Sequence, residues 1–175
     1  MSKDKQNNPI DEKKVGKEQD KIILQNNEIP ELSQEKRINR RTARIMAMEI
    51  LFSIYFTKYP LPLSLEMFQH IADEDTPRSP LSAFSIKLVS EALKNLKKID
   101  EELKKIIKNW KPERLSIVDR TLLRLGAAEI FHFSDIPPKV TINEYIEISK
   151  YYSEDDAPGF INGILDRIAR NAEKL

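Results

Sequence analysis

Large apolar side chains recur along most of this chain at three- and four-residue steps, which is the period of an amphipathic helix. One stretch breaks that rhythm by being apolar nearly all round. From Ser116 to Phe133 the sequence SIVDRTLLRLGAAEIFHF places Ile117, Val118, Leu122, Leu123, Leu125, Ala127, Ala128, Ile130 and Phe131 around the whole helical wheel. A helix of that kind is buried on several faces at once, and its length and charges are unsuited to a bilayer. Ser116, with Asp119 three residues on, supplies an N-terminal cap and a first-turn acid, and Pro137-Pro138 forbids continuation. The pattern predicts a central core helix surrounded by amphipathic ones.

The neighbours can be read in order. From Glu35 onwards, Ile38, Ile45, Met48, Glu49 and Phe52 fall along one side of a helix, widened by Ile50, Leu51, Ile54 and Tyr55. Pro60 and Pro62 end it, and Leu63, Leu65, Met67, Phe68 and Ile71 predict a short second helix before the acidic, proline-broken loop Ala72–Pro80. Leu81, Phe84, Leu88, Ala92 and Leu96 predict a third, and Ile99, Leu103, Ile106, Ile107 and Trp110 a fourth, with the boundary near Asn95. Trp110 ends an apolar stripe, a position that suits a core anchor better than a base-stacking platform. After the central helix, Thr141 to Glu144 matches a capping box opening a helix through Tyr152. Phe160, Ile161, Ile164, Leu165 and Ile168 predict the last, with Gly163 inside it as a point of close helix–helix packing. The expected fold is all-α: about seven helices over residues 36–172, divided into subdomains 36–95 and 96–172. Residues 1–35 mix charged and amide side chains and are expected to be a disordered tail, with Ile22, Ile23 and Leu24 either a chance triplet or a transient docking point.

Composition narrows the function. Of 175 residues 40% are apolar and 33% charged, the net charge is +1, and there is no cysteine. Disulfides and thiolate metal sites are thereby excluded. His70 and His132 are too few for a histidine cluster, so neither a metal site nor another cofactor is expected. The four glycines, Gly16, Gly126, Gly159 and Gly163, make neither a P-loop nor a dinucleotide fingerprint. Asp155-Asp156 form the one carboxylate pair considered for catalysis, yet loop acids are ordinarily just solvated. No catalytic residue is assigned. No signal segment or membrane span is legible, and a cytoplasmic protein is expected.

One charge cluster changes this picture. Lys36, Arg37, Arg40, Arg41 and Arg44 carry five positive charges with no acid among them, and the arginines share roughly a 100° arc of a helix. They repel one another and oppose the helix dipole. Either they are a solvated face paired with acids elsewhere in the fold, or they form an anion site, for which guanidinium forks suit phosphate oxygens. The unfavourable local electrostatics favour the second.

Five fragments in order then resemble one family. RRTARIMAMEILFSIYF (40–56), WKPER (110–114), VDRTLLR (118–124), DIPPKVTINE (135–144) and FINGILD (160–166) are similar to the bacterial transcription antitermination NusB family, over about Lys36 to Arg170. The resemblance implies two packed helical subdomains and a non-catalytic protein that binds single-stranded boxA RNA of ribosomal RNA leaders. It implies as partners the ribosomal protein NusE and the RNA polymerase antitermination assembly. It implies RNA contacts at Lys36, Arg37, Arg40, Arg41 and Arg44, and an RNA- or partner-facing loop with Asp155, Asp156 and Phe160. Glu49 departs from a frequent glutamine, Ala157-Pro158 replaces a more polar pair, and the tail has no counterpart in compact members. Two further function classes stand beside this one: a helical protein-interaction scaffold, and a stand-alone relative of the NusB-like domain of ribosomal RNA methyltransferases, for whose catalytic domain the chain has no room.

Overall fold

The computed structural model of the protein describes residues 39–73, 81–107 and 115–173. Among them are seven helices and no strand: α1 (Arg40–Thr57), α2 (Leu61–Asp73), α3 (Ala83–Lys94), α4 (Leu96–Ile106), α5 (Ile117–His132), α6 (Pro138–Tyr152) and α7 (Ala157–Asn171). The expected tail, Ile22–Leu24, Lys36, Arg37 and Trp110 lie outside the described residues.

The apolar stretch read as central is central. Helix α5 packs against α1, α3, α4, α6 and α7. Its Leu122, Leu123, Leu125, Ala127 and Ala128 have no exposed surface, which is why no polar arc was legible on its wheel. The Ser116 hydroxyl accepts the Asp119 N–H at 3.0 Å, capping the helix as expected. Small residues let the neighbours close in. A Cβ on Gly126 would lie 2.7 Å from Cδ1 of Leu165 on α7 and 3.3 Å from the Tyr145 ring on α6. The close-packing glycine is therefore Gly126. Gly163, expected to have that role, is exposed, and nothing lies within 4 Å of where its Cβ would be.

Helices α3 and α4 meet at Asn95, whose side-chain amide donates to the Glu91 carbonyl at 2.9 Å. That boundary matches the expectation. The start of α6 does not. It opens at Pro138, with Pro137 as N-cap, rather than at Thr141 through a capping box. Proline at the first helical position loses no hydrogen bond, because that N–H has no partner inside the helix anyway. Thr141 and Glu144 are consequently mid-helix residues, free to face α5 and α1. Helix α1 also differs in detail. Its buried arc runs through Ala43, Arg44, Ala47, Ile50 and Leu51, while Ile45, Glu49 and Phe52 are half-buried. The reason is that α3 and α5 cover it together, and two neighbours, not one apolar stripe, set which side is inside.

Candidate nucleic-acid interface

The site is built where two helices begin. Asn39 caps α1, its Oδ1 accepting the Arg41 N–H at 2.9 Å, and Pro137 caps α6. Both caps border an open concavity of about 320 Å³ that Arg40, Arg41, Arg44, Asp135 and Glu144 also line. Neither helix has an acid in its first turn, so the positive ends of two helix dipoles face this hollow, with Asp135 and Glu144 the acids along its wall.

The arginines have different fates within it. Arg40 is exposed, and its guanidinium lies over the Phe84 ring of α3, 4.4 Å from the centroid. Arg41 is held by Glu144 of α6 in a fork: Nε to Oε2 at 2.9 Å and Nη2 to Oε1 at 2.8 Å. The hydrogen bond from Arg41 keeps the Glu144 carboxyl below its ordinary range despite partial burial, and the same bond raises the Arg41 guanidinium.

Arg44 points the other way. It is 2% exposed and donates Nε and Nη2 to the Glu129 carboxylate of α5 at 2.9 and 2.5 Å. Burial opposes its charge, but the hydrogen bonds and charge of Glu129 outweigh that and raise its pKa. Thr141 donates to Glu129 at 2.7 Å and the Tyr145 hydroxyl at 3.4 Å; burial, first of all, pushes that phenol well above its ordinary value. At Arg44 the expected phosphate contact competes with a structural use, since Nε and Nη2 are held in a dry ion pair that ties α1 to α5. A signal for this was present. Arg44 shares a stripe with Ala47, Met48 and Leu51, and Glu129 shares one with Leu122, Leu125 and Gly126, so each charge sits inside an apolar face of its own helix.

The other expected residues lie elsewhere. Asp155 and Asp156 are exposed in the turn between α6 and α7, and Phe160 is half-buried against the core. That turn follows the C-terminal end of α6, about 12 Å along the axis from Glu144. Between the two regions stands Tyr151, 81% exposed. No aromatic for base stacking was named from sequence, and Tyr151 is the exposed ring nearest in kind to one. At the far end of α1, Tyr55, Phe56 and Tyr59 are also exposed. Among the described residues no cluster of histidine and acid side chains is arranged to hold a metal, and no helix is long and apolar enough to cross a membrane.

The NusB family model matches residues 41–170. The transcription antitermination protein NusB of Natranaerobius thermophilus is 40% identical over 138 residues, covering 78% of this chain and 99% of that one. The solved structure of T. maritima NusB superposes with a TM-score of 0.64 at 33% identity, over 79% of this chain and 98% of the other. A second structure, of antitermination factors NusB and NusE in complex with double-stranded RNA, shares the fold at a TM-score of 0.64 and 23% identity, over 75% of this chain and 96% of that one. With a family match over most of its length and a relative aligned nearly end to end, the chain belongs to the NusB family of transcription antitermination proteins.

Proposed function

We propose that this RNA-binding antitermination factor takes single-stranded, boxA-type RNA of ribosomal RNA leaders, together with the ribosomal protein NusE, into the RNA polymerase antitermination complex in the cytoplasm. The observation that carries the RNA reading is the hollow where two helix N-termini without first-turn acids meet the solvent-reachable Arg40 and Arg41. Lys36, Arg37, Arg40 and Arg41 contact phosphates, and each contact releases counterions from the strand. Asp155 and Asp156, in the turn before α7, and Phe160, in the first turn of α7, form a second contact region for RNA or partner beyond the C-terminal end of α6. Residues 36–95 and 96–172 act as two subdomains joined through α5. Nothing in this chemistry calls for a cofactor, and the protein binds rather than catalyses.

Two observations bear on the alternatives. The relative from Natranaerobius is matched over 99% of its own length, which favours a stand-alone factor over a detached domain of a methyltransferase. Tyr55 and Phe56, with rings 5.3 Å apart and both exposed, favour a protein partner at the other end of α1, alongside RNA rather than instead of it. The decisive experiment measures binding of a boxA-like strand, its scrambled form and its duplex, with and without NusE. Tight binding of the single strand, strengthened by NusE and lost on combined Arg40→Ala and Arg41→Ala substitution, is expected. Unchanged binding by that double variant would overturn the RNA surface, and a protein that takes NusE but no RNA would be a scaffold.

A further inference from the structure

Arg41 reaches the surface with its fork already filled. The two parallel bonds to Glu144 are those that a phosphate would otherwise receive. Access to the pair is uneven, because the Arg41 side chain is 41% exposed and that of Glu144 18%. Glu144 is fixed on the middle of α6, so in any exchange the arginine moves and the carboxylate stays. It does not stay alone: Nη1 of Arg44 lies 3.8 Å from its Oε2. Arg40 differs, since among the described residues it rests on the Phe84 ring and has no carboxylate at ion-pair distance.

Resting on the RNA reading above, we infer that Glu144 is an internal stand-in for phosphate that sets the selectivity of the surface. A strand gains from Arg41 only by exchanging one fork for another, carboxylate for phosphate, and the two are similar in strength. The exchange therefore adds little by itself. It goes forward when a phosphate is delivered to that spot by a strand already held at Arg40 and the neighbouring helix N-termini. A polyanion with no such fit meets Arg41 neutralised. Glu144 lowers the affinity for every anion and lowers it most for the wrong ones.

The test compares wild type, Glu144→Gln, Arg41→Ala and the double variant, each binding a boxA-like oligoribonucleotide, oligo(U) of equal length, and heparin. Glu144→Gln is expected to tighten binding roughly two- to fivefold, the scale of one exposed ion pair. The gain is larger for oligo(U) and heparin, so the preference for the boxA-like strand narrows. The slope of log K against log salt for RNA steepens by about 0.7, one phosphate's worth. In the Arg41→Ala background the gain disappears. Unchanged or weaker binding by a Glu144→Gln protein that melts like wild type overturns the inference, as does a gain that persists without Arg41, since that would be net charge alone. If the glutamine variant melts early, Glu144→Asp carries the same test, because it keeps the charge but draws the carboxylate back from the fork; tighter binding supports the role and no change removes it. Should heparin respond as described while no variant binds RNA, the RNA reading falls and the role of Glu144 stands. If heparin does not respond either, the role falls.

Discussion

Arg40 and Arg44 are one helical turn apart on the same helix, and they do opposite things. Arg40 lies at the open end of α1, stacked on Phe84 and reachable by solvent. Arg44 lies where α1 passes under α5 and α6, dry and forked onto Glu129. A charge survives such burial only when it is paired and hydrogen-bonded, and the Glu129 carboxylate answers by accepting from Arg44, Thr141 and Tyr145 together. The lesson is that identical residues in one cluster take their roles from what covers them. Arg40, Arg41 and Arg44 are not three copies of one contact.

The largest test of that contrast breaks the dry pair. Removing one partner leaves an uncompensated buried charge, so Glu129→Ala or Arg44→Ala is expected to cost about 3–5 kcal/mol in urea denaturation. Replacing both, as Arg44→Met with Glu129→Leu, should recover most of that. If Arg44→Ala instead unfolded at the wild-type midpoint and lost RNA affinity, the two arginines would be alike after all. A smaller effect is expected at the mouth of the helix. Asn39→Ala frees the Arg41 N–H from its cap and should lower stability by about 1 kcal/mol. Arg40→Ala should leave the melting temperature where it is, and flatten the salt slope of RNA binding by about 0.7. The smallest effect is in acid. Because the folded-state pKa of Glu144 is depressed, its contribution is complete above the unfolded value of about 4.3 and is lost as pH falls through the lower folded one. The difference in melting temperature between wild type and Glu144→Gln should therefore shrink as pH is lowered from about 6 to below 4; a constant difference would mean that the Arg41–Glu144 bonds do not depend on the carboxylate charge.

The elements were more legible in the sequence than the pairings between them. Helix α5 announced itself because an all-round apolar wheel has one physical meaning, and the junction expected near Asn95 falls there although neither glycine nor proline marks it. The capping box at Thr141 misled: threonine followed three residues later by glutamate is a local pattern, and the proline pair outweighed it by starting the helix a turn earlier. Gly163 misled for a related reason. A glycine in a helix says that something is unusual, but which helix lies against it is a tertiary fact, and it was Gly126 that faced Leu165 and Tyr145. The site shows the same division. That the arginine cluster was chemically loaded could be read from charge alone. That Glu144 and Glu129 would each claim one of its members could not, because those partners are 103 and 85 residues away in the chain.

The position of α5 also bears on how the protein comes apart. Every other helix but α2 leans on it, so a local opening that exposed its amides would have to lift most of the molecule at once. Amide protons along Leu122–Ala128 should accordingly exchange with solvent only through the globally unfolded state, while the ends of α1 and α7 exchange through shallow fraying. A chain cut on either side of α5 would leave each fragment with an apolar face and nothing to lay it on. The same helix that makes the two halves one body makes neither half able to stand without it.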